Sequence, residues 1–220
     1  MYTLFGFKGS GSAIAECALE MAGVSYRMVP AASWEPGSQL AELERVNPLK
    51  QIPTLVLPNG QVLSESAAIL MHLGLTYPRS GLLGEDPVER DFTLRGLVYI
   101  AANCYSCISI LDYPERYTSA TDEASLAAVR QGTQARLHRH WEVFADLHRA
   151  EFFLAGNEPG ALDLEAAVVS KFSGARRHLK KARPAFSALM ERIDNHPAVA
   201  PVFARHWPEQ VSASANVPHA

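Results

Sequence analysis

The sequence predicts a small α/β unit followed by an all-helical unit. Three observations carry this. β-like and helical patterns alternate through residues 1–78 in the order β-α-β-α-β-β-α, a punctuated stretch YPRSGLLGEDP (77–87) then breaks the pattern, and beyond it β-like runs nearly vanish. The expected organisation is an α/β domain over 1–78, an all-α domain over 86–207 and a flexible tail over 208–220, PEQVSASANVPHA.

Each element has its own signal. YTLFGF (2–7) opens as a strand, and in 13–22 the residues Ile14, Cys17, Ala18 and Met21 recur at helical spacing. YRMV (26–29) is a second strand and 38–45 a second helix. PTLVL (53–57) and QVL (61–63) flank Pro58-Asn59-Gly60-Gln61, an antiparallel hairpin in which Asn-Gly supplies the positive φ angles of a tight turn. Residues 66–76 form the closing helix. In the second unit, Leu94, Leu97, Val98, Ala101, Cys104, Tyr105, Ile108 and Leu111 mark one long helix over 86–112. Leu126, Val129, Leu137, Trp141, Phe144 and Leu147 mark another over 122–150, and shorter helices follow at 161–173, 184–195 and 197–206. At the first of these, Gly160 stands at the cap with Asp163 three residues on, and glycine is an acceptable cap, so the helix is expected to form.

Composition excludes several classes. With 220 residues, 48% hydrophobic and 20% charged, the chain can bury a core and is too large for a disulfide-stapled mini-protein. A net charge of −3 provides no global field for nucleic acid or anionic lipid. The N-terminus lacks the pattern of a signal peptide, and no stretch approaches the ~20 apolar residues of a membrane span, so the expectation is a cytoplasmic protein with no membrane or nucleic-acid partner. Three cysteines, Cys17, Cys104 and Cys107, cannot all pair, which fits a reducing compartment. Cys104-x-x-Cys107 lies within a helix without a second ligand pair, so no metal is expected. The basic residues of 171–183 read as a solvated connection between helices.

The most informative stretch is NPLKQIPTLVLPNGQVLSESAAIL (47–70). Pro53 falls at the start of a β-like run, where either a trans proline opening the strand or a cis Ile52–Pro53 bond that turns the Ile52 backbone outward satisfies the pattern. In SESAAI (64–69), capping of the next helix accounts for the serines and the acid. The same residues also suit an amino-acid head group, its carboxylate on the helix-start amides and Ser66 and its ammonium on Glu65.

This block resembles the cytosolic glutathione S-transferases, in the bacterial type with a serine-containing active-site loop. Asn-Pro, Gln-Ile-Pro and Glu-Ser stand at that family's spacing, and the likeness runs from the first β-α-β to FLAGNEPGALDLEAAV (153–168). The resemblance implies a thioredoxin-like N-terminal domain, an all-α C-terminal domain and a homodimer. It also implies glutathione as co-substrate, a hydrophobic electrophile as second substrate, and a detoxifying transferase activity. Carried over residue by residue, Ile52 and cis-Pro53 hold the cysteinyl backbone of glutathione, Glu65 and Ser66 its γ-glutamyl end, and Lys50 and Gln51 its other polar groups. Asn103 reaches glutathione across the dimer, and Phe7 and Tyr105 line the electrophile pocket.

A thiolate is the nucleophile such chemistry needs, and a free thiol has pKa ~8.5. Lowering it by two units takes about 2.7 kcal/mol. The loop FKGSGSA (7–13) offers Ser12 and Ser10 as hydroxyl donors beside a helix N-terminus, with Ser12 placed ahead of Ser10. Tyr2 stands too early to serve and no cysteine falls in this loop, which argues against a disulfide reductase. Peroxidase or ring-opening lyase chemistry suits the same site, and the alternative from another class is a non-catalytic transferase-like binding module.

Overall fold

The computed structural model describes residues 1–208; the rest of the expected tail, 209–220, lies outside the described residues. The described residues divide into two compact units, one of Met1–Glu85 with residues 194–208, the other of Asp86–Ile193.

The first unit holds β1 (Tyr2–Gly6), α1 (Ser12–Met21), β2 (Tyr26–Pro30), α2 (Leu40–Val46), β3 (Thr54–Val56), β4 (Val62–Ser64) and α3 (Ser66–Thr76). This is the expected β-α-β-α-β-β-α order. The sheet runs β2-β1-β3-β4, with β1 parallel to β2 and β3 antiparallel to both β1 and β4. Successive strand residues face opposite sides. Phe5 therefore joins Val29, Ala31 and Leu43 in one core cluster, while Leu4 and its partner Leu55 are buried on the other face. α1 is enclosed rather than striped, since Ser12 through Leu19 are all buried. Leu82 and Leu83 of the punctuated stretch are buried too, and Leu83 sits so close to Gly74 that a Cβ there would lie 2.5 Å from it.

The hairpin turn differs from expectation. Gly60 alone takes a positive φ, at 87°, and its N–H donates to Leu57 O while Leu57 N–H donates to Gln61 O. Asn59 instead uses its side chain, accepting from Gln61 N–H at 3.0 Å. One left-handed glycine after an ordinary turn closes the hairpin, so Asn59 needs no positive φ.

The helical unit contains α4 (Pro87–Tyr99), a π-helical run Ile100–Tyr105, α5 (Ser106–Asp112), α6 (Glu123–Leu147), α7 (Ala161–Val169), α8 (Ala175–Ala182) and α9 (Pro184–Asp194). The expected helix over 86–112 is thus one run with a π segment at its centre. Its apolar content exceeds expectation: an 18-residue window reaches mean hydropathy 1.4, long and apolar enough by length and composition to cross a membrane, although 33% of the window is already buried. α7 is buried along its whole length. Trp141 and Phe144 of α6 form the aromatic centre with Phe186.

Helix α8 corrects the reading of 171–183 as a mere connection. Gly174, at φ +74, starts it, and Ala175 and Leu179 are buried one turn apart. Two apolar residues among charges are enough to seat a short helix on a neighbour, but too few to show as periodicity.

Asp163 anchors the start of α7. Its carboxylate accepts from Leu154 N–H at 2.7 Å, Ala155 N–H at 3.0 Å and Gly160 N–H at 3.0 Å. Burial pushes its pKa up to about 6, against the pull of those three amides.

α10 (Ala200–His206), expected with the helical domain, packs instead on α1. The reason is a buried carboxylate. Glu16, 6% exposed, accepts from Arg205 Nη2 at 2.6 Å and Arg205 Nε at 2.9 Å, and pairs through its other oxygen with His206 Nε2 at 2.8 Å. Tyr26 O–H bridges Glu16 and Glu20, at 3.2 and 3.0 Å. Burial raises the Glu16 pKa, but the hydrogen bonds from His206 and Arg205 outweigh it and hold the carboxyl below its ordinary value.

Two outcomes follow from these carboxylates. Asp163→Ala leaves three amides without their acceptor and is expected to cost about 3 kcal/mol or more in denaturant unfolding; an unchanged midpoint contradicts this role. Because the folded-state pKa of Glu16 is depressed, its stabilisation is present above the unfolded pKa of ~4.3 and lost as pH falls through the lower folded value. Glu16→Gln should therefore reduce stability at pH 7 by roughly 3 kcal/mol and flatten the acid limb of Tm against pH.

Candidate functional site

The sheet register builds the site. Thr54 pairs with Phe5 on one side and with Ser64 on the other. The C-terminal end of β1, the N-terminal end of β3 and the C-terminal end of β4 therefore meet at one edge. Three segments emerge there: the loop 7–11, Gln51–Pro53, and Glu65 with the start of α3.

Between β1 and α1, Gly6 has room for no side chain, because a Cβ would lie 2.5 Å from Ser12 Cβ. Ser12 is wholly buried and Ser10 is 6% exposed. Their hydroxyls are 2.8 Å apart, and both donate to Phe7 O, Ser10 at 2.7 Å and Ser12 at 3.1 Å. Phe7 N–H in turn donates to Ser12 Oγ, and Ser12 N–H to Ser10 Oγ. The two serines thus hold the loop closed around one carbonyl. The outside of the loop is packed by the C-terminal segment, since a Cβ on Gly9 would lie 3.7 Å from Trp207 Nε1 and 3.8 Å from His206 O. Phe7 meets Trp34 edge to face at 6.3 Å.

In the second segment, Ile52–Pro53 is cis. The side chain of Ile52 packs on the Phe5–Leu43 cluster, and its backbone lies outside the ladders, which begin at Thr54. What holds this turn is a pair of residues to which the sequence reading gave no role. Asn47, buried, donates from Nδ2 to Gln51 O at 3.2 Å and to Thr54 Oγ1 at 2.9 Å, while Thr54 Oγ1 donates to Gln51 O at 2.8 Å. Asn47 Oδ1 accepts from Leu49 N–H at 3.1 Å. A polar pair at spacing i, i+7 bracketing a proline was the available signal. Gln51 is exposed, and Lys50, at φ +55, pairs with Glu44 at 2.7 Å.

In the third segment Glu65 precedes α3 with φ +66 and ψ 113, and its side chain makes no capping bond. That backbone conformation is costly for a non-glycine residue, of the order of 1–3 kcal/mol, and clusters at ligand clamps. Glu65 is exposed and Ser66 buried at the first helical position. The α3 amides and dipole favour an anion there.

Register and loops bring Phe7, Ser10, Ser12, Ile52, Pro53, Glu65 and Ser66 to one edge of one unit. Asn103 and Tyr105 belong to the helical unit. There Asn103 Nδ2 donates to Tyr99 O at 3.1 Å inside the π-helical run, and Tyr105 lies against Phe172 with centroids 6.4 Å apart. Burial pushes the thiols of Cys17 and Cys104 far up and that of Cys107 up, so none of the three is poised as a thiolate. Among the described residues no group of three or more His, Cys, Asp or Glu gathers to hold a metal.

Comparison with known proteins agrees with this architecture. The profile of the family described as Glutathione S-transferase, N-terminal domain, matches residues 13–75. The uncharacterized GST-like protein YncG of Escherichia coli K12 is 35% identical over 125 residues, which cover 56% of this chain and 60% of YncG. The probable glutathione S-transferase BZ2 of Zea mays is 26% identical over 217 residues, covering 90% of this chain and 88% of BZ2. Among solved structures, a glutathione transferase homologue from Sulfitobacter with bound glutathione superposes with a TM-score of 0.78 at 19% identity, over 92% of this chain and 96% of that one. Residues 13–75 thus match the glutathione S-transferase N-terminal domain, and the chain has the glutathione S-transferase fold.

Proposed function

We propose that the protein binds glutathione along this sheet edge, stabilises its thiolate and transfers it to an electrophilic apolar small molecule. The observation that carries the reading is the pairing of Thr54 with Ser64, which sets the Ile52 backbone beside Glu65 and the start of α3. An extended peptide laid along Ile52 pairs its main chain there in the manner of an added strand. Its γ-glutamyl end then meets the Glu65 carboxylate with its ammonium, and the α3 amides and Ser66 with its carboxylate. The glutathione bound in the Sulfitobacter homologue supports the same ligand class.

That placement sends the cysteinyl sulfur toward the loop 7–11. Of the two serines, Ser10 is the better donor to sulfur, because it keeps an accessible edge while Ser12 has none. Ser10 turns its hydroxyl from Phe7 O to the sulfur, and Ser12 keeps its bonds to Phe7, so the loop stays closed while one proton is redirected. A hydrogen bond to an anion contributes about 1.5–3 kcal/mol, enough with the α1 dipole to account for a thiol lowered by one to two units. The homodimer and cytoplasmic setting implied by the family belong to the same reading. A second reading, a binding module without turnover, draws on the same serine network, in which both hydroxyls already have an acceptor.

Calorimetric titration should show glutathione binding, and ultraviolet thiolate absorbance should show its bound pKa below that of the free tripeptide. Absence of binding at millimolar glutathione removes the proposal. With Ser10→Ala the bound thiol pKa should rise by about one unit and turnover fall about tenfold, with affinity little changed. Binding without a pKa shift or turnover in the native protein selects the module instead. Glu65→Gly should separate the backbone from the carboxylate. Glycine accepts φ +66, so stability should rise by about 1 kcal/mol while glutathione affinity falls about tenfold, both read on one preparation.

A further inference from the structure

Away from that edge, within the helical unit, α6 and α8 enclose an open groove of about 360 Å³ lined by polar and charged side chains. Two of the six cations of the 171–183 stretch, Arg177 and Lys181, line it. Of the cations of the 171–183 stretch, Arg176 is bound to Ser170 Oγ and Ala167 O, and Arg183 grips Asp146 through two nitrogens at 2.8 Å. Arg177 and Lys181 line the groove one helical turn apart, exposed, and take neither hydrogen bond nor ion pair among the described residues. Like charges at i, i+4 repel, while Lys181, in the last turn of α8, gains from the helix dipole.

The floor of the groove is a pair of imidazoles. His138 of α6 and His178 of α8 stack with centroids 3.9 Å apart and planes within 3°. Their protons follow from their partners. Gln134 Nε2 donates to Ser173 O at 3.0 Å, which fixes the amide so that its nitrogen also faces His138 Nε2, 2.8 Å away. That ring nitrogen is therefore the acceptor, and His138 is neutral with its proton on Nδ1. His178 Nε2 donates to Glu142 Oε1 at 2.8 Å. Burial, His178 and Arg177 hold the His138 pKa down, opposed by Glu142. Glu142 is engaged by His178, Arg139 and Arg183, leaving the charges of Arg177 and Lys181 uncompensated above a flat, neutral imidazole.

We propose that this groove is a binding site for a small tetrahedral oxydianion, inorganic phosphate or a phosphate monoester, held by Arg177 and Lys181 against the His138–His178 stack. Two fixed positive charges match the charge of a phosphate dianion. The guanidinium fork takes two of its oxygens and the Lys181 ammonium a third. The groove has room for a monoester's organic part, which separates the two sources experimentally.

The test is calorimetric titration of the full chain with inorganic phosphate and with glycerol 3-phosphate, at constant ionic strength against chloride. Ring-proton NMR of His138 and His178 is followed in parallel. Saturable one-to-one binding is expected, with both histidines shifting along the same curve, and affinity falling about tenfold in Arg177→Ala and in Lys181→Ala. Arg27→Ala, a cation of the other unit paired with Glu42, should leave it unchanged. Tighter binding of glycerol 3-phosphate assigns the monoester, and equal or weaker binding the free anion. Absence of saturation at millimolar phosphate overturns the proposal. So does binding that survives both α8 substitutions, or histidine resonances that do not respond.

Discussion

The candidate site rests on the double pairing of one residue. Thr54 is bonded into the sheet between Phe5 and Ser64, and its hydroxyl also joins Asn47 in holding the Gln51 carbonyl. A slip of one residue in either ladder would turn Leu55, now fully buried, outward and carry Pro53 away from Glu65. The apolar alternation that makes the core thus also fixes where the three binding segments lie. Packing and site geometry are here one constraint.

Around that constraint, polar groups do local work that apolar packing cannot. Ser10 and Ser12 fold a glycine-rich loop around one carbonyl, Asn47 fixes a turn, Asp163 gathers three amides at the start of α7, and Glu16 seats α10. Each is buried, so each must have its partners, and removal of either side leaves a desolvated group behind. The same logic, inverted, marks the α6–α8 groove, where Arg177 and Lys181 take no partner among the described residues while Arg176 and Arg183 are paired.

Much of the fold was legible because its signals are local. The alternating patterns over 1–78, the Asn-Gly hairpin and the apolar stripes of 86–112 and 122–150 all show within short windows of sequence, and the structure places elements there. The Gln-Ile-Pro and Glu-Ser spacing also showed in the sequence, because a strand-turn-strand-helix unit keeps both segments close along the chain. What did not show depends on distance or on small numbers. α8 has two buried residues among its charges, too few for a period. The attachment of α10 to α1 joins Glu16 to Arg205 and His206 across nearly the whole sequence, and no window covers both. Ser10 and Ser12 stand two apart in a loop, and only the path of the backbone reveals that both reach Phe7 O.

That long closure bears on how the molecule is made. During synthesis the N-terminal segment leaves the ribosome first, with its four strands and α1 available to associate. Glu16 then has neither Arg205 nor His206, and the loop at Gly9 lacks Trp207, until the last described residues are translated. The first unit is therefore begun before the second and completed after it, and a nascent chain stopped before α10 leaves Glu16 without Arg205 and His206.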